Sequence, residues 1–94
     1  MSAAERVGPQ ADHIIETEID DDISLYDPQT EQVMVLNRTA SDIWLLSDGE
    51  HSLTEIVVLL ANAYDVKPEA IRGDVEATVA SFIDGGFLSD GGEG

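Results

Sequence analysis

Hydrophobic positions along this chain follow two different rhythms. From His13 to Leu36 they come in brief runs with alternation. After Asn37 they recur every three or four residues. The first rhythm predicts strands. In HIIETEI, Ile15, Thr17 and Ile19 share one face and Glu16 and Glu18 the other. Asp20-Asp21-Asp22 reads as a turn, and Ile23–Tyr26 as a second strand with Ile23 and Leu25 on one face. Asp27-Pro28-Gln29-Thr30 suits a type I turn, with Asp first and Pro second. A third strand from Gln32 to Leu36 follows. Its Val33-Met34-Val35-Leu36 run is apolar on both parities, which predicts cover on both faces. Strands joined by turns this short form an antiparallel meander.

The second rhythm predicts three helices. Asn37 suits an N-cap, and Ala40, Ile43, Trp44 and Leu46 carry the apolar spacing of a helix from Arg38 to about Ser47. Asp48-Gly49 closes it. Ser52-Leu53-Thr54-Glu55 is a capping box that opens a second helix. Leu53, Ile56, Val57, Leu59, Leu60, Ala63 and Tyr64 give that helix a wide buried face, and it ends near Asp65. Pro68 suits the first position of a third helix, whose stripe is Ile71, Val75, Val79, Phe82 and Ile83. Gly73 in its middle costs about 1 kcal/mol relative to Ala. Gly85-Gly86 ends it, and Phe87-Leu88 fold back. Trp44 and Tyr64 read as core, and Tyr26 as partly exposed. The order is that of an α+β domain, a three-stranded antiparallel sheet followed by three α-helices. Residues 1–11 read as a flexible segment, 12–88 as one domain, and 89–94 as a flexible tail.

Charge changes the picture. The chain of 94 residues has 20 acidic against 4 basic residues, a net charge of −16. Phosphate binding relies on Lys and Arg, so nucleic acid is an unsuitable partner. High net charge by itself favours solubility. There is no cysteine, which excludes disulfides and cysteine–zinc sites. No apolar run reaches the roughly 18 residues of a membrane span, and MSAAERVGPQ lacks a signal-peptide core, so a cytoplasmic protein with no membrane partner is expected.

Catalytic chemistry finds little footing. His13 and His51 lie near carboxylates, but at a terminus and in a turn, and read as solvated. Asp20-Asp21-Asp22 lacks the alternation and Gly of a calcium loop. No G-x-S-x-G or phosphate-cradling motif is present. No metal, no cofactor and no enzymatic activity are expected. A DNA-reading helix is equally unsupported, since the third helix sets Arg72 against Glu69, Asp74, Glu76 and Asp84. The third possibility is a peptide-binding module. A meander leaves an edge strand, and an exposed edge is a template for an added strand.

Leu36-Asn37, Thr39-Ala40, Ile43-Trp44 and Asp48-Gly49, in that order and spacing, resemble the signature of the PQQ-biosynthesis D-type (PqqD-like) family. These proteins are also called RiPP recognition elements, RiPPs being ribosomally made, post-translationally modified peptides. Ser52, Thr54-Glu55-Ile56 and Leu60 match the family's second helix. Asp74-Val75 and Gly86-Phe87-Leu88 match its third helix and exit. The resemblance covers Ile23 to Leu88. It implies a winged helix-turn-helix-like fold. It also implies that the leader of a precursor peptide adds beside the third strand, Gln32, Val33, Met34, Val35 and Leu36, and packs against the third helix. On that helix Asp74, Thr78 and Ser81 flank the stripe. Helical spacing alone reads them as a solvated flank, and the resemblance moves Asp74 and Val75 to the groove. Thr78 departs from the bulkier apolar residue expected there. Phe82 completes the candidate set, with core packing as its other reading.

The function so implied is a free-standing, non-catalytic leader-recognition protein. Its partners are the leader and a separate modifying enzyme, either a leader peptidase in a lasso-peptide pathway or a radical-SAM enzyme. The alternative is a winged-helix regulator acting through protein contacts. With only Arg6, Arg38, Lys67 and Arg72 as cations, a gel-shift at physiological salt should show no retention of duplex DNA at micromolar protein. Retention that weakens steeply with added salt would contradict the charge argument.

Overall fold

A computed structural model describes residues 6–88. Strands β1 (Ile15–Ile19), β2 (Asp22–Asp27) and β3 (Gln32–Leu36) are followed by helices α1 (Arg38–Leu46), α2 (Leu53–Tyr64) and α3 (Pro68–Asp84). The sheet is antiparallel in the order β1-β2-β3. This is the expected α+β order. Both flexible ends were expected partly where the structure is silent: residues 1–5 and 89–94 lie outside the described residues.

Local chemistry accounts for the boundaries. Ile19 pairs with Asp22 across a two-residue turn, and Asp20 takes φ 56° there. The second turn is fixed by Asp27, whose carboxylate accepts from Gln29 N at 2.9 Å while its carbonyl accepts from Glu31 N at 2.7 Å. Asn37 caps α1 by accepting from Ala40 N at 2.8 Å. Ser52 and Glu55 form the capping box, at 3.1 and 2.8 Å. Asp65 ends α2 in the left-handed region, and Pro68 opens α3. Phe87 N donates to Phe82 O at 2.9 Å, so the chain folds back after α3 and buries Phe87 and Leu88.

The core lies between one face of the sheet and the helices. It holds Ile23, Leu25 and Leu36 from the strands, and Ile43, Trp44, Ile56, Val57, Val75, Val79 and Phe82 from the helices. Trp44 and Phe82 meet edge to face, 5.4 Å between ring centroids. The indole N–H of Trp44 donates to Glu16 Oε1 at 2.7 Å, which links α1 to β1. The Ser41 hydroxyl accepts from Ile23 N at 3.1 Å and donates to Leu36 O at 3.3 Å, which links α1 to the last rung of β2–β3.

Four expectations are corrected. β3 is not covered on both faces: Val33 and Val35 are 64% and 71% exposed, because the helices cover only the face that carries Leu36 and half-buried Met34. Leu59 and Ala63 of α2 are exposed, because α3 packs against only one side of that helix. His13 is not simply solvated, since its Nε2 lies 3.3 Å from the Asp27 carboxylate. The segment Arg6–Ala11, expected outside the domain, packs on it. Val7 is 2% exposed and exchanges hydrogen bonds with His51 O (2.8 Å) and Gly49 N (2.7 Å). Gln10 Nε2 donates to Trp44 O at 2.8 Å. Gly8 passes so close to Ser47 that a Cβ would collide with its carbonyl oxygen.

Phe82 is 1% exposed. Phe82→Ala should cost about 3–5 kcal/mol, the usual penalty for emptying a core aromatic site. A thermal melt checks it; for a domain this small the shift should be many degrees, and one of a degree or two would remove Phe82 from the core.

Candidate functional site

The expected site residues divide into three groups. Gln32, Val33 and Val35 are exposed, and Met34 is half-buried. On α3, Asp74 and Ser81 are exposed and Thr78 is half-buried. Leu36, Val75 and Phe82 are buried, at 3%, 0% and 1% exposure. The first two groups lie at the surface. The third group supports them from beneath.

β3 is an edge. It pairs with β2 on one side only, and no Cα of β3 comes within 8 Å of a Cα of α3. The backbone of α3 therefore leaves free the position a fourth strand would take, about 4.8 Å beyond β3. The sequence leaves open which residues of β3 aim their amides outward, and the register resolves it. Ile23 N–H and Leu36 C=O both reach the Ser41 hydroxyl, so these two residues face one another across the β2–β3 seam. Alternation along an antiparallel ladder then turns Met34 and Gln32 toward β2 as well. Val33 and Val35 are left with N–H and C=O directed at the open edge. Two-residue turns join hydrogen-bonded pairs, so Ile19↔Asp22 sets the same phase from the other end of the sheet.

On α3, Asp74, Thr78 and Ser81 lie one turn apart on a flank of the buried stripe. The Ser81 hydroxyl is engaged, donating to Ala77 O at 3.1 Å. Among the described residues Asp74 has no ion-pair partner, whereas Glu76 pairs with Arg72 at 3.5 Å. Added Cβ atoms at Gly73 would meet nothing within 4 Å, so the glycine is not required by close packing in the isolated chain.

Elsewhere, an open depression of about 410 Å³ lies between the β1–β2 turn and α1, lined by Glu18, Asp20, Asp21, Asp42 and Leu45 among others. Among the described residues no three His, Cys, Asp or Glu side chains are grouped to hold a metal ion. No described helix is long and apolar enough to cross a membrane.

The family described as coenzyme PQQ synthesis protein D (PqqD) matches residues 22–88, and the chain belongs to this family. Two solved structures share its fold. TbiB1 in complex with the TbiA(β) leader peptide is 23% identical, with a TM-score of 0.77 over 86% of this chain and 94% of that one. A lasso peptide synthetase B1 complexed with its leader peptide is 24% identical, with a TM-score of 0.74 over 84% of this chain and 93% of that one. No curated protein matches the sequence significantly.

Sequence reasoning missed Ser41 and Asp27, the two polar residues that set the ends of β3. A buried hydroxyl inside a helix has no periodic signal, and Asp27 was visible only as a turn former. Burial pushes the Asp27 carboxyl up, but the Gln29 N–H and His13 outweigh it and hold its pKa below the ordinary 3.8. A lowered folded pKa stabilises above the unfolded value and loses that stabilisation as pH falls through the folded one. Protonating the other carboxylates meanwhile relieves repulsion in a chain of −16, so the effect must be read as a difference. Asp27→Asn should melt lower than wild type near pH 6, and the gap should narrow below about pH 3.5. A gap that is constant with pH would show that the Asp27 charge is not what the turn uses.

Proposed function

We propose that this protein binds the leader segment of a ribosomally made precursor peptide as a fourth strand beside β3, held against the Asp74–Ser81 flank of α3, and presents the precursor to a separate modifying enzyme. The observation that carries this reading is the open β3 edge, where Val33 and Val35 direct their amides into the space before α3. Membership of the PqqD family supports it. So do the leader complexes formed by both solved neighbours, one of them a lasso peptide synthetase B1, which favours a lasso-type precursor over a radical-SAM substrate. The protein does no chemistry in this scheme and needs no cofactor. Its contribution is orientation: main-chain hydrogen bonds fix the leader's register, and side-chain contacts to Met34, Thr78 and Asp74 select its sequence. The regulator alternative draws no support from this site.

Proline removes one backbone donor, so its effect depends on which way that donor points. Val33→Pro or Val35→Pro removes an amide aimed outward and should weaken leader binding at least tenfold while the fold survives. Met34→Pro removes a donor aimed at β2 and should unfold the sheet. Fluorescence polarisation with a labelled leader peptide, beside circular dichroism of each variant, separates the two. Folded Val33→Pro and Val35→Pro variants that bind as wild type would put the leader elsewhere.

A further inference from the structure

The outer face of the sheet is unlike the rest of this chain. Because Ile23 and Leu25 point into the core, their neighbours point out. The register then sets Ile15, Tyr26 and Val33 in one row across the strands, and Thr17, Ser24 and Val35 in the next. Ile19 extends the face along β1. Ile15, Ile19, Val33 and Val35 are all more than half exposed, at 52% to 71%. Asp22 is the sole charged side chain that strand alternation puts on this face, in a chain whose net charge is −16. Carboxylates gather instead at the two ends, Asp20, Asp21 and Asp22 at one turn and Glu31 at the other.

We infer that this face docks the modifying enzyme, through an apolar patch on that enzyme flanked by Lys and Arg. This rests on the leader-binding reading above and deepens it. Three arguments select the occupant. None of the four cations, Arg6, Arg38, Lys67 and Arg72, lies on the sheet. Two copies meeting face to face would therefore set acidic ends against acidic ends with nothing to pair them. Anionic lipid and nucleic acid meet the same repulsion. A protein with basic residues around an apolar centre meets attraction at the ends and burial in the middle.

The second argument is size. Three strands about 4.8 Å apart, with five residues rising about 3.3 Å each, span roughly 240 Å². A stable interface takes about 800 Å² from each partner. The bare face is too small to hold an enzyme firmly. The third argument is continuity. Val33 and Val35 give their side chains to this face and their amides to the leader edge. A leader strand added there would put alternate side chains beside them and enlarge the face by about a third. The enzyme would meet a wider apolar surface, part protein and part substrate, when the leader is in place. Docking is then stronger to the loaded protein than to the empty one, so the enzyme is directed to protein that carries a precursor.

The test uses β1, which β2 separates from the leader edge. The variants are Ile15→Glu with Ile19→Glu in the full chain, and Thr17→Glu alone should the pair fail to fold. Two quantities are measured: affinity for a labelled leader peptide, and the rate at which the modifying enzyme encoded in the same gene cluster processes the precursor at limiting concentrations. Leader affinity should stay within about twofold of wild type, and processing should fall at least tenfold, the size of effect expected from charges placed in an apolar contact. Thr17→Val should process as wild type or faster. Processing by the glutamate variants at the wild-type rate would overturn the docking surface. So would a wild-type dimer in sedimentation that the same substitutions dissolve, which would assign the face to a second copy. Failure of the wild-type protein to bind the leader at all would instead defeat the underlying reading, and the docking inference with it.

Discussion

Trp44 is the point through which the parts of this domain are tied. Its ring meets Phe82 of α3 edge to face, its indole N–H reaches Glu16 of β1, and its carbonyl accepts the side chain of Gln10. Those partners come from a helix, a strand and the segment that precedes the sheet, far apart in sequence. Removing the ring would leave a large cavity, the costlier part of the damage, and would release Glu16, an exposed residue of β1, from its link to α1. The three-stranded sheet has one apolar face to bury, and it is fastened to the helices here.

Ser41 makes the second fastening, and it is the one that orders the edge strand. The hydroxyl bridges Ile23 N–H and Leu36 C=O, so the last rung of the β2–β3 ladder is closed through a helix side chain. That fixes β3 relative to α1. With β3 held, the amides of Val33 and Val35 keep a constant direction at the open edge. An edge ordered in advance costs less conformational entropy on binding than one that must be ordered by the ligand.

Much of the fold could be read from the residues because its signals are local. Asn37, Ser52 and Pro68 mark helix starts through hydrogen-bonding chemistry that needs no tertiary context. The candidate edge at Gln32–Leu36 was legible for the same reason. Burial was harder. Val33 and Val35 look like core residues in a run that is apolar on both parities, and only the placement of the helices decides that their face stays uncovered. Val75 and Phe82 show the converse: spacing put both in the apolar stripe, the family resemblance drew Val75 toward the groove, and both are buried in the core. The N-terminal segment was misjudged because Gly8-Pro9 resembles a linker. Its glycine is instead needed where the backbone crosses Ser47 with no space for a side chain.

That crossing strand has an effect at the far end of the domain. Gln10 bridges to Leu88, and Ala11 N donates to Phe87 O at 2.9 Å, so the residues that lead into the sheet run beside those that follow α3. The entry to the sheet and the exit from α3 therefore hold one another, and fraying at either place must break hydrogen bonds that order the other.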